Sequence, residues 1–156
     1  MRALLLVTSL WALSAPALAQ APERALVMVT ISGEPSLGRH LRAWVRALRP
    51  AVGASRVEAL GSDCWPEEAS CAARFVHGDG RILLVSVTWD RSGCVPVHDP
   101  SGATAGHRML RVPTLELTLL DASGTMLANI ARPAEATAAE RRAALPALLQ
   151  ALGLGS

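Results

Sequence analysis

Two short segments of the 156-residue chain consist almost entirely of apolar residues, and many of these are β-branched. The first covers residues 25 to 31 (ALVMVTI) and the second covers residues 82 to 89 (ILLVSVTW). A strand without polar alternation is buried on both faces, which is typical of a sheet that has helices on each side. We therefore predict that these two segments are neighbouring central strands.

Helical patterns separate and follow these strands. Apolar side chains recur at helical spacing in residues 37 to 48, and Pro50 is expected to end that helix. A short strand is predicted within residues 55 to 61, and Pro66, followed by two glutamates, predicts the start of a second helix. A third helix is predicted to begin at residues 137 to 140 (TAAE), which have the capping-box pattern.

The second half of the chain has the pattern of an antiparallel sheet. Residues 114 to 120 alternate between leucine and polar residues, and residues 114 to 131 are predicted to form an edge hairpin. Three segments have the form Asp-x-Ser-Gly, which favours a type I turn and is common in hairpins, at residues 90–93, 99–102 and 121–124.

Together these patterns predict the fold class α/β. Strands that are joined through helices lie parallel, with right-handed crossovers. We expect a mixed sheet of about five strands and about three helices, in which parallel strand-helix-strand units are followed by an antiparallel hairpin.

The beginning of the chain predicts export. A basic start is followed by an apolar run over residues 3 to 13, shorter than the roughly 20 residues that span a bilayer, and then by Ala17-Leu18-Ala19, a signal-peptidase pattern. We expect residues 1 to 19 to be a signal peptide and residues 20 to 156 to be a single globular domain. A buried N-terminal helix is the alternative interpretation. No second long apolar segment follows, so we expect no transmembrane segment after cleavage and a periplasmic or secreted location.

The chain has three cysteines, which export would place in an oxidising compartment. Cys64 and Cys71 are too far apart to pair within one continuous helix, but a helix that starts at Pro66 allows Cys64 to fold back towards Cys71. We predict a Cys64–Cys71 disulfide that acts as a structural staple; a pair using Cys94 and free thiols are the alternatives. The predicted pairing leaves Cys94 as a buried apolar thiol or as an intermolecular partner.

The segments RILLVSVTWDRSG and LELTLLDASGTMLANIARP resemble the end of the amino-terminal domain of the periplasmic protein TolB. The shared feature is a strand, a glycine turn and then alternating leucines that end in Asp-x-x-Gly. The resemblance implies a non-catalytic domain that binds partner proteins of the bacterial envelope, and it brings no site residues with it. The segment CVPVHDPSGATAGH, residues 94 to 107, departs from the pattern as an extra excursion.

Residues 33 to 40 lie where a phosphate-binding loop would lie, between a buried strand and a helix. Arg39 and His40 occupy the positions that need Lys and a hydroxyl residue, so we expect neither a nucleotide nor any other cofactor. Five other polar residues lie in turn-like segments without metal-ligand spacing, and we predict neither a metal site nor catalytic residues among them: His77, Asp79, His98, Asp99 and His107.

Four arginines form a stripe opposite the apolar face of the first predicted helix: Arg39, Arg42, Arg46 and Arg49. A solvated surface is the default interpretation of this stripe, and a docking surface for an acidic partner, peptidoglycan or anionic lipid is the alternative. The chain has 15 basic and 13 acidic residues and few aromatic ones, so we do not expect a nucleic-acid partner.

These observations predict an exported, non-catalytic protein-binding or assembly module of the bacterial cell envelope, whose partner is another envelope protein. One alternative is an exported small hydrolase or other enzyme with a site near His98 and Asp99. A second alternative is a secreted inhibitor or accessory domain.

Overall fold

The computed structural model describes residues 25–31, 33–61, 64 and 68–155, apart from the side chains at positions 91 and 92. The predicted signal peptide, residues 1 to 19, lies outside these residues, as does Pro66, where the second helix was expected to begin.

The described residues form one mixed sheet of five strands together with three α-helices. The strands are β1 (Leu26–Ile31), β2 (Arg56–Leu60), β3 (Arg81–His98), β4 (Thr104–Asp121) and β5 (Met126–Pro133), and the helices are α1 (Gly38–Ala51), α2 (Glu68–Ala72) and α3 (Ala138–Ala151). The strand order is β2-β1-β3-β4-β5. β1 pairs parallel with β2 and β3, whereas β4 pairs antiparallel with β3 and β5. The predicted fold class, the central pairing and the edge hairpin are confirmed.

The larger of two buried clusters lies between the sheet and the helices α1 and α3. Alternate residues of the central strands face this layer, among them Met28, Val85 and Leu117. The helices α1 and α3 and the residue that ends α3 contribute Leu41, Trp44, Leu48, Leu148 and Leu152. The alternating leucines of β4 were predicted to face inward, and Leu115, Leu117 and Leu119 are each at most 2% exposed.

The second cluster lies on the opposite face of the sheet, under α2. Val27 and Val29 of β1 and Ile82 of β3 pack there against both disulfide cysteines. β1 thus supplies alternate residues to two cores, which explains why its sequence is continuously apolar.

Local sequence determines where the helices begin and end. α1 ends at Ala51, one residue beyond Pro50, and Gly53 then adopts the left-handed φ of 62° that commonly follows a helix. The predicted capping box opens α3: the Thr137 side chain accepts a hydrogen bond from the Glu140 N–H, and the Glu140 carboxylate accepts one from the Thr137 N–H.

Two of the three predicted Asp-x-Ser-Gly turns are confirmed, and the first is wrong. Asp99 and Asp121 each accept hydrogen bonds from the backbone N–H groups two and four residues further on, and they close the β3–β4 and β4–β5 connections. Residues 90 to 93 instead continue β3, with a bulge that leaves position 92 without a partner in β4. The residues before and after this segment both pair with β4, so the chain does not reverse there. Gly93 adopts the φ of 142° at the bulge.

Beyond the bulge, β3 and β4 continue as a two-stranded ribbon, residues 93 to 110, which we call the arm. Every residue of the arm except Gly106 is exposed, and none belongs to either buried cluster of the described chain. The arm contains the segment that departs from the TolB-like pattern. It also carries Cys94 as an exposed thiol, so the expectation that Cys94 is a buried thiol is wrong.

Candidate functional site

The arginine stripe lies on the outer side of α1. The helix is amphipathic: Leu41, Trp44 and Leu48 face the core, while all four arginines are exposed on the other side. At 1.5 Å per residue, the stripe from Arg39 to Arg49 extends about 15 Å along the helix.

α3 packs beside α1 and extends this basic surface. A groove of about 670 Å³ runs between the two helices, and Arg46, Arg141 and Arg142 lie along it. Its other described lining residues are mostly small or apolar, including Ala43, Ala47, Ala51 and Leu145. We call the six arginines at positions 39, 42, 46, 49, 141 and 142 the arginine face. The sequence reasoning missed Arg141 and Arg142, because only the packing of α3 against α1 brings them to the stripe.

The charge of the arginine face is compensated only in small part. Within the part of the chain that the structure describes, the one salt bridge joins Arg56 and Glu58, in β2. Glu140 is the nearby acidic residue on α3, and its carboxylate accepts a hydrogen bond from the Thr137 N–H. That bond is the main reason why the pKa of Glu140 lies below its usual value. The Arg141 guanidinium donates to the Ala136 carbonyl, and Arg39 Nε donates to His40 Nε2 at 3.2 Å. The remaining four arginines are available to an anionic partner.

Trp44 positions the groove. Its indole Nε1 donates to the Ala134 carbonyl oxygen at 2.9 Å, and its side chain is 1% exposed. The Arg132 guanidinium lies 5.9 Å from the centre of the ring, within the range of a cation–π contact. This buried hydrogen bond ties α1 to the segment just before α3 and thereby holds the two walls of the groove together.

A second concave surface, which we call the sheet groove, lies on the α2 side of the sheet and has a volume of about 390 Å³. Its apolar part includes Ile31, Leu84, Leu120 and Met126. Its polar part includes Glu68, Ser86, Thr88, Glu116, Thr118 and Asn129. The Asn129 amide donates to the Glu116 carboxylate at 2.9 Å and to the Thr118 hydroxyl at 2.8 Å, so the side chains in its middle are already ordered.

The predicted Cys64–Cys71 disulfide is present, with 5.8 Å between the Cα atoms. Both cysteines are buried, at 8% and 7% exposed, and they pack with Val29, Leu60 and Ile82. A disulfide enclosed in an apolar cluster acts as a staple, because an attacking thiol needs access to a sulfur atom.

The structure places His98 and Asp99 at the tip of the arm, both exposed. The Asp99 carboxylate accepts hydrogen bonds from Ser101 and Ala103, and the bond from the Ser101 hydroxyl is the main cause of its lowered pKa. This carboxylate therefore closes the turn. His77 and Asp79 lie before β3, far along the chain from His107 in β4, and no three possible metal ligands come together among the described residues.

None of the helices in the described part of the chain is both long enough and apolar enough to cross a membrane.

No protein-family model matches the chain, and no curated protein matches it in sequence. Solved structures that resemble it include a PelC dodecamer from Paraburkholderia phytofirmans, at 13% identity and a TM-score of 0.35, covering 83% of this chain and 88% of that chain. A neuraminyllactose-binding hemagglutinin homolog from Helicobacter pylori is 11% identical with a TM-score of 0.34, covering 71% of this chain and 63% of that one. Both TM-scores are below 0.5, so neither likeness bears on the function of this chain.

Proposed function

We propose that the protein is an exported, non-catalytic binding or assembly module of the bacterial cell envelope, and that it binds an acidic envelope protein through the arginine face. The observation that carries this proposal is the convergence of arginines from α1 and α3 on one groove, with no acidic residue among its described lining residues.

The chemistry of the arginine face fits carboxylates. A guanidinium group is planar and can bind a carboxylate through two parallel hydrogen bonds, which favours arginine at docking surfaces for acidic partners. The alanines at positions 43, 47 and 51 follow one another at four-residue spacing along α1. Small side chains at this spacing allow a helix of the partner to approach closely.

Two further observations support export to the envelope. The Cys64–Cys71 disulfide is of a kind that persists in oxidising compartments. The resemblance to the amino-terminal domain of TolB implies a partner-binding role in the same compartment, and the predicted signal peptide would deliver the chain there.

Affinity capture from an envelope extract tests this proposal, with the mature protein as bait beside the charge-reversal variant Arg42→Glu/Arg46→Glu. We expect the wild-type protein to retain an acidic protein whose binding weakens as salt is raised, and the double variant to retain at least tenfold less. The matched control is Arg74→Glu, which reverses an exposed arginine beside α2 and should retain the partner fully. Equal capture by all three proteins would contradict a role for the arginine face.

A further inference from the structure

We infer that two copies of this chain form a dimer in which the arm of each copy lies on the sheet groove of the other. This inference goes beyond the proposed function, and it depends on surfaces other than the arginine face.

The arm exposes apolar side chains on a defined face. Six large hydrophobic residues are exposed in the described chain, and four of them lie in the arm: Val95, Val97, Met109 and Leu110. Cross-strand neighbours share a face of a ribbon, so the pairs Gly93–Leu110, Val95–Arg108 and Val97–Gly106 place three of these four on one side together with Arg108. That side carries an apolar strip with one positive charge, and exposed apolar side chains grouped in this way offer a surface for protein contact.

The sheet groove complements this strip in polarity and in charge. Its apolar residues are partly exposed at one rim, where Met126 is 60% exposed. Its charged residues are Glu68 and Glu116, and neither Arg nor His occurs among its described lining residues. Neither carboxylate takes part in a salt bridge within the described residues, so Arg108 of a second copy would meet uncompensated negative charge.

The register of β4 favours a reciprocal arrangement. Side chains of a strand alternate between its two sides, so Arg108 and Leu110 lie on the same side of β4 as Glu116 and Leu120, which line the sheet groove. A twofold axis between the arm and the groove therefore places each arm over the groove of the other copy. Contact between two arms alone would bring Arg108 near its own counterpart and leave both grooves open, which makes it the less favourable arrangement.

The test measures mass by sedimentation equilibrium on the mature protein in a Cys94→Ser background, so that no disulfide of Cys94 contributes. In the armless variant, Asn-Gly replaces residues 94 to 109 and closes a two-residue turn between Gly93 and Leu110. The groove-blocked variant is Thr88→Arg, at an exposed position of the groove. Melting curves verify that each variant folds.

We expect the parent protein to be a dimer whose mass does not grow further with concentration, and each variant alone to be a monomer. An equimolar mixture of the two variants should form a one-to-one dimer, weaker than the parent because one of the two contacts remains. A groove-blocked variant that stays dimeric would show that arms pair with each other, and an armless dimer would exclude the arm. The inference would be overturned if the parent protein is monomeric at about 1 mM. It would also be overturned if the mass of the parent keeps growing with concentration, or if the mixture of variants stays monomeric.

Charge exchange provides a second measurement. Arg108→Glu and Glu116→Arg should each raise the dimer dissociation constant about tenfold or more, and the two changes in one chain should restore it to within a few-fold. Glu116→Gln keeps an oxygen for Asn129 and removes only the charge, so it should weaken the dimer in the same direction. Failure of the double variant to recover would contradict the pairing. Arg42→Glu/Arg46→Glu should leave the dimer unchanged, which separates this inference from the proposed function.

Discussion

Trp44 is the residue on which the α1–α3 groove most depends. Trp44→Phe keeps most of the buried ring but leaves the Ala134 carbonyl without the indole donor that it meets at 2.9 Å. An unsatisfied buried acceptor costs about 1 to 3 kcal/mol, so we expect the free energy of unfolding to fall by that amount in urea titrations monitored by circular dichroism.

Trp89 offers a matched control, because its indole donates to the exposed Glu34 carboxylate at 2.8 Å. Water can replace that partner, so Trp89→Phe should cost less than about 1 kcal/mol. A larger loss at Trp89 than at Trp44 would mean that burial of the hydrogen bond does not determine its contribution.

At the scale of elements, α2 depends on its covalent link. It has five residues, too few to be stable alone, and Cys71 within it is bonded to Cys64. A ring of this size contributes about 2 kcal/mol in the loop-entropy description. We therefore expect Cys64→Ala/Cys71→Ala to lower the melting temperature by several degrees, at roughly 2 to 8 °C per kcal/mol for domains near this size.

The control for the disulfide is Cys94→Ala, which removes an exposed thiol and should leave the melting temperature nearly unchanged. Peptide mapping under non-reducing conditions checks the pairing directly. A peptide that links Cys94 to either of the other cysteines, or two free thiols at positions 64 and 71, would contradict it.

At the scale of the whole molecule, the packing of helices on the sheet predicts which strands exchange their amide hydrogens slowest and which fastest. β1 and residues 82 to 89 lie at the centre of the sheet and contribute side chains to both buried clusters, so they should exchange slowest, with the β4–β5 hairpin faster and the arm fastest. Exchange is measured by mass spectrometry at low protein concentration, so that the inferred dimer does not protect the arm. Faster exchange in β1 than in residues 114 to 120 would contradict the central position of β1.

Much of the fold was predictable from short-range patterns. The continuous apolar sequence of β1, the alternating leucines of β4 and the Thr137–Glu140 capping box each specify a local structure, and all three are confirmed. The Cys64–Cys71 pair was predictable as well, because its short separation along the chain leaves few geometries that allow a bond.

Other features depended on contacts between distant segments. Residues 90 to 93 have the residue preferences of a turn, yet they form a bulge because β4 continues to pair on both sides of them. The same pairing extends the arm and exposes Cys94, which no local pattern around that cysteine indicates.

The sequence by itself determined most of the helices and strands and which of their faces are buried, because periodicity and capping patterns act over a few neighbouring residues. The prediction of export depends on a local signal pattern in the same way. Only the tertiary structure decided which surfaces became grooves. Arg46 meets Arg141 and Arg142 because α1 and α3 pack on the same face of the sheet. The sheet groove remains open because α2 is too short to cover the β4 and β5 side of the other face.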